Sequence, residues 1–188
     1  VKEGLMDFGD LITHVLSLFR KRPNVLRQYQ QKFSHILIDE FQDTNIAQYQ
    51  LLKLLAPPKT NPDLTIVADD SQSVYKFRGA AVSNILQFKK DYPEAKMVSL
   101  IKNYRSYQEI LDASYRLIKH NDPDTLEAQL KISKNLKSQR GKGGMVEFWR
   151  FNRFDEEAEA VAAKIKEMVK EGKYSYGDFA ILLRTNRA

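Results

Sequence analysis

The sequence contains no cysteine in 188 residues. That absence excludes a disulfide-stapled scaffold and any zinc or iron–sulfur site built on thiolates. Long apolar runs are also missing. Stretches such as Phe179 to Leu183 fall far short of the roughly 20 residues that a bilayer-crossing helix requires. The first ten residues, VKEGLMDFGD, carry four charges and no sustained apolar segment of the secretory kind. No membrane partner is expected, and a cytoplasmic location is, with nucleoid association in a bacterium. Histidine is scarce as well: His14, His35 and His120 stand at no metal-ligand spacing.

What is present is ordinary for a globular protein, with 43% hydrophobic and 29% charged residues. A chain of this length buries roughly 70% of the surface its unfolded form exposes, enough for one domain or two small ones. The formal charge of +6 is compatible with nucleic acid and does not demand it.

Helical and strand-like patterns alternate along the chain. Residues 7–20 place Phe8, Leu11, Ile12, Val15, Leu16 and Phe19 at helical spacing, ended by Pro23. Residues 33–39 form a short β-branched run tipped by Asp39 and Glu40, and residues 64–68 a second run tipped by Asp69 and Asp70. Helices are expected at 44–55 (capped near Asp43), 82–91, 107–119 and 155–171. Further strands are expected at 97–101, 145–151 and 178–184, with a polar stretch at 120–140 and a glycine turn at 141–144. Such alternation predicts crossover units and parallel sheets, an α/β fold.

Ligands of open α/β sheets bind beyond the carboxyl ends of strands, where the two acid-tipped runs lead. A carboxylate there can hold Mg²⁺, and a second acid beside it can take a proton from an attacking water. Five ordered segments then resemble one family. Asp39-Glu40-Phe41-Gln42-Asp43-Thr44-Asn45 resembles motif II of the UvrD/Rep-type superfamily 1 DNA helicases, residues 67–80 (VADDSQSVYKFRGA) motif III, and Asn103-Tyr104-Arg105-Ser106 motif IV. Asp7-Phe8-Gly9-Asp10-Leu11-Ile12 is similar to the family's helix before motif II, and Ile181-Leu182-Leu183-Arg184-Thr185-Asn186 to its strand after motif IV.

The resemblance implies RecA-like parallel sheets with flanking helices in two partial motor domains, residues 1–101 and 102–188. It implies ATP and Mg²⁺ as cofactors, and single-stranded DNA and duplex junctions as partners. Asp39 would hold the Mg²⁺, and Glu40 would activate the water that attacks the γ-phosphate. Gln72 would sit between that phosphate and the DNA. Tyr104 would stack on adenine, and Arg105 would reach the γ-phosphate, a contact worth about 10³–10⁵ in rate for such arginines. Tyr75, Phe77 and Arg78 combine rings for base stacking with charge for phosphates, a pattern suited to single strands, and Arg184 and Asn186 would join them on DNA.

Two features depart from the family. The phosphate-cradling G-x-x-x-x-G-K-[ST] loop occurs at none of the eight glycines, so the chain is expected to be a piece of the motor and inactive alone. In motif III, Ala68 replaces a glycine and Ser71 replaces the second acid of Gly-Asp-x-Asp-Gln. The alternatives are a metal-dependent nuclease using Asp69, Asp70 and the Glu94-Ala95-Lys96 triplet, and a non-enzymatic module that binds nucleic acid or protein. The acid-free basic run Lys131, Lys134, Lys137, Arg140 and Lys142 is expected to be a solvated connection in preference to a DNA contact.

Overall fold

The computed structural model describes residue 4, residues 6–73 and residues 83–183. It divides into two compact units, Val1–Gly144 and Met145–Ala188. The expected 101/102 boundary, a division by motif, lies within the first.

Helix α1 (Phe8–Lys21) begins where Asp7 and Asp10 form a capping box: the Asp10 N–H donates to Asp7 Oδ1 at 2.7 Å, and the Asp7 N–H to Asp10 Oδ2 at 3.2 Å. Pro23 does more than stop this helix. It opens α2 (Pro23–Lys32) at a first-turn position, where a missing N–H costs nothing. Leu16 and Phe19 are buried from α1, and the Phe19 ring lies 5.4 Å from that of Tyr29 in α2.

Strands β1 (Ile36–Ile38) and β2 (Leu64–Ile66) pair in parallel, with Ile36 opposite Leu64 and Ile38 opposite Ile66. Helix α3 (Ile46–Leu55) lies between them in sequence, as a parallel connection requires. Its cap is Asn45, two residues after the expected Asp43, because residues 41–43 form a separate 3₁₀ turn. The ladder continues past the strands: the Val67 N–H donates to the Ile38 carbonyl (2.8 Å), and the Phe41 N–H to the Val67 carbonyl (2.9 Å).

The core gathers Phe41, Tyr49, Leu52 and Ala56 with Ile85, Phe88 and Tyr92 around α4 (Ser83–Asp91). Phe41 is fully buried and meets Tyr49 and Phe88 edge-on at 5.6 and 5.8 Å. The Tyr92 hydroxyl donates to the Ala56 carbonyl at 2.6 Å. Burial, with the negative charge of Asp91 behind it, pushes that phenol up to about 12.

Strands β3 (Lys102–Asn103) and β4 (Lys137–Ser138) form a second parallel pair, with α5 (Gln108–Ile118) and the short α6 (Leu126–Leu130) between them in sequence. Strand pairing therefore starts at Lys102, whereas the sequence pattern placed a strand at 97–101. Val98 and Leu100 are instead 78% and 79% exposed. The glycine turn is as expected. Gly141 and Gly143 have φ of +80° and +139°, and a Cβ on Gly144 would lie 2.9 Å from Ile110 Cγ1.

The second unit contains α7 (Phe154–Lys170), whose first turn carries Asp155, Glu156 and Glu157 at the positive end of the helix dipole. The strands expected at 145–151 and 178–184 have no ladder among the described residues. An extended segment becomes a strand only when a neighbour takes its N–H and C=O groups. Here Phe148 and Leu182 stand 90% and 92% exposed. Val161, Ile165 and Met168 of α7, with Trp149, Phe179 and Ile181, line an open cleft of about 440 Å³.

Candidate active site

The tips of β1 and β2 lie side by side, and one buried glutamine ties them together. Gln42 is 0% exposed. Its amide nitrogen donates to Glu40 Oε2, and its amide oxygen accepts from the Asp69 backbone N–H at 2.9 Å. A neutral amide suits this position because it donates to a carboxylate and accepts from a backbone amide at once.

Glu40 leaves the strand in the left-handed region, φ +50° and ψ +42°, which costs about 1–2 kcal/mol for a non-glycine residue. Asp39 Oδ1 accepts from the Glu40 N–H at 2.9 Å and Gln42 holds the Glu40 side chain, so the strained turn is fixed from both sides. Thr44 closes it by donating to the Phe41 carbonyl at 2.7 Å, and buried Asn84 of α4 donates to the Thr44 carbonyl at 2.9 Å. Asp39 and Glu40 themselves face solvent. An exposed strand-tip carboxylate with one oxygen engaged locally suits Mg²⁺, which takes one or two carboxylates and keeps several waters.

At the β2 tip, Asp69 Oδ1 accepts from the Ser71 N–H (3.1 Å) and Asp69 Oδ2 from the Gln72 amide (2.9 Å). Lys134, from the segment after α6, reaches the same place. Its Nζ lies 2.6 Å from Asp69 Oδ1 and 3.0 Å from Ser71 Oγ, and also pairs with Asp70 Oδ1. The Asp70 side chain is 6% exposed, and its second oxygen accepts from the Leu126 N–H at 2.7 Å.

Burial alone would raise the Asp69 carboxyl, but hydrogen bonds from Lys134 and Gln72 and the lysine's charge outweigh it and hold the group below its ordinary value. Burial likewise works to lower Lys134, and the two aspartates reverse it and hold the ammonium above its ordinary value. Lys134 is thus no solvated connection, contrary to the expectation for the basic run. The run's periodicity gave no sign of a partner 65 positions away.

Tyr104 and Arg105 occupy the turn after β3. Asn103 Oδ1 accepts from the Arg105 N–H (2.9 Å) and the Ser106 N–H (2.8 Å), which sets the turn. Arg140 braces it, donating to the Arg105 carbonyl at 3.0 Å while its guanidinium lies 4.7 Å from the Tyr107 ring centre. Tyr104 stays 72% exposed and Arg105 is exposed, so the backbone is held while both side chains remain available.

Asp39, Glu40 and Gln72 are therefore gathered on adjacent strand tips, with Tyr104 and Arg105 on a separate turn of the same unit. Tyr75, Phe77, Arg78, Arg184 and Asn186 lie outside the described residues.

Comparison with known proteins decides the family. Residues 1–93 match the UvrD/REP helicase N-terminal domain, and residues 98–188 the UvrD-like helicase C-terminal domain. The chain belongs to the UvrD/REP helicase family. It is similar to ATP-dependent DNA helicase PcrA of Bacillus subtilis (strain 168), 42% identical over 186 residues that take in 99% of this chain and 24% of that protein. PcrA of Leuconostoc citreum is 42% identical and PcrA of Staphylococcus aureus (strain COL) 43%, each over 96% of this chain and 23% of the relative. The chain thus spans 23–24% of the length of these relatives.

Membership of the UvrD/REP family implies a RecA-like α/β fold, with which the helices and small parallel sheets agree. Among the described residues no helix is long and apolar enough to cross a membrane. The nuclease alternative is not favoured. Asp69 and Asp70 are already engaged by Lys134, and no cluster of three or more His, Asp or Glu side chains able to hold a metal occurs among the described residues.

Proposed function

We propose that this chain supplies part of the catalytic cleft of an ATP-driven motor that moves on single-stranded DNA and opens duplex junctions. The observation that carries this reading is the pairing of the two acid-tipped strands by Gln42, which sets Asp39 and Glu40 beside the Asp69–Gln72 turn. The relatives named as ATP-dependent DNA helicases support it. In this reading residues 1–101 belong to the first motor domain and residues 102–188 to the second. The motor works in the cytoplasm wherever DNA is exposed.

Bound Mg²⁺ would neutralise charge on the triphosphate, and Asp39 is the residue to hold it. Glu40, pinned by Gln42, orients a water and accepts its proton. Gln72 faces the phosphate side, Tyr104 offers a ring to adenine, and Arg105 supplies a permanent planar cation for the phosphate oxygens. Tyr75, Phe77, Arg78, Arg184 and Asn186 contact the DNA strand. The triphosphate itself needs a phosphate loop, which this chain would meet in the assembled motor.

The test is Glu40→Gln in a motor that joins this chain to such a loop. ATP turnover stimulated by single-stranded DNA should fall by roughly 10²–10⁴, the contribution of a positioned general base, with DNA affinity unchanged. Unaltered turnover would refute the assignment.

A further inference from the structure

Lys134 does more than neutralise acids. Asp69 divides its two oxygens between separate tasks: Oδ1 faces Lys134 at 2.6 Å, and Oδ2 accepts from the Gln72 amide at 2.9 Å. An ionised carboxylate only accepts hydrogen bonds. Gln72 must therefore turn its NH₂ toward Asp69 and its carbonyl oxygen the other way. Were Asp69 to take up a proton or swing out, nothing in this pairing would forbid the flipped amide.

Two adjacent carboxylates at one strand tip, one of them 6% exposed, repel each other, and the Lys134 ammonium lies against both. That ammonium is delivered by a braced segment. The Lys134 N–H donates to Glu127 Oε1 at 3.0 Å, and the same carboxylate accepts from the Tyr115 hydroxyl of α5 at 3.0 Å. Leu126, whose N–H donates to Asp70, packs into the core with Phe41. The lysine's position is thus set by contacts other than the ion pair it makes.

The geometry points to Lys134 as a positioning residue that, through Asp69, fixes which face of the Gln72 amide is presented to the nucleotide. This rests on the motor reading for the role of Gln72. It also gives the displaced acid of motif III a physical context: Asp70, one position before Ser71, pairs with the same lysine that contacts the Ser71 hydroxyl.

The test has two arms. In this chain, the Gln72 side-chain amide resonances, followed by ¹⁵N NMR, should shift in Lys134→Met and remain at their original positions in Lys134→Arg. In the assembled motor, Lys134→Met should lower DNA-stimulated kcat by roughly 10- to 100-fold, the scale of a misplaced catalytic contact. The KM for ATP should hold within about twofold, and Lys134→Arg should recover most of the rate. Unmoved Gln72 resonances in a folded Lys134→Met chain, or an unchanged kcat, would overturn the inference. If Lys134→Met fails to fold, Asp69→Asn takes its place: it keeps the shape and lets Gln72 flip, so the same shift and rate loss are expected, and their absence overturns the inference equally. Glu40→Gln measured alongside separates the two ideas, since unaltered turnover there removes the motor reading and leaves the resonance arm to judge Lys134.

Discussion

Replacing Gln42 by leucine removes the side chain that bridges Glu40 and Asp69 at the two strand tips while nearly preserving volume. The bond to Glu40 is to a charged partner, but that carboxylate is exposed and water replaces most of what it loses. The Asp69 N–H is the costlier group, because it sits part-buried and has only the Gln42 oxygen as acceptor among the described contacts. Leaving such a donor unpaired costs about 1–3 kcal/mol, and the loss of the charged bond brings the net destabilisation to about 2–4 kcal/mol. For a chain of this size each kcal/mol moves the melting temperature by about 2–4 °C. Far-UV circular dichroism should therefore record a fall in Tm of roughly 5–15 °C, with a lower urea midpoint and an unchanged denaturant slope. Gln42→Glu separates the two bonds, since it keeps an acceptor for Asp69 and sets a carboxylate against Glu40. Its deficit then reports the contact to Glu40 alone. A Gln42→Leu chain within about 0.5 kcal/mol of the original, the range of an ordinary surface change, would refute the view that this amide organises the site.

The Lys134 bridge predicts a pH window. Asp69 is held below its ordinary value of 3.8, so its stabilisation is present above that pH and fades as pH falls through the native value. Lys134 is held above 10.5, so its share is present below that pH and fades as pH rises beyond it. The gap in urea midpoint between the original chain and Lys134→Met should be widest between those limits and narrow in acid, and a gap that does not vary with pH would count against the ion pair. Asn103→Ala removes the acceptor for two backbone amides, and hydrogen exchange at Arg105 and Ser106 should quicken roughly tenfold for each 1.4 kcal/mol lost. Unchanged exchange would refute the assignment of the turn to the Asn103 side chain. Tyr92 keeps its proton in the fold up to about 12, where the unfolded chain has lost it near 10. Stability should fall as pH climbs between those values, and in Tyr92→Phe that part of the fall should vanish, an outcome readable from alkaline melts.

Local signals and long-range ones were legible to very different degrees. Helices α1, α3, α5 and α7 follow from apolar spacing, capping residues and prolines that lie within a few positions of each other, and each stands within two residues of where the pattern puts it. The second role of Pro23 was readable in principle, since proline is as fit to begin a helix as to end one. The acid-tipped strands were legible because their carboxylates stand directly after the apolar run. Strands at 97–101, 145–151 and 178–184 were not, because an apolar segment states that it wants burial and does not name the neighbour that supplies a ladder. Gln42 and Lys134 show the same limit at the site. Nothing local distinguishes a glutamine that bridges to position 69 from one that faces water, or a lysine that crosses to Asp69 and Asp70 from its neighbours at 131 and 137. Those two side chains connect elements distant in sequence, and the preorganisation of a cleft consists of such connections. Motif residues reveal which chemistry a strand tip can perform, while the residues that hold the motif in place emerge only from the fold that brings them there.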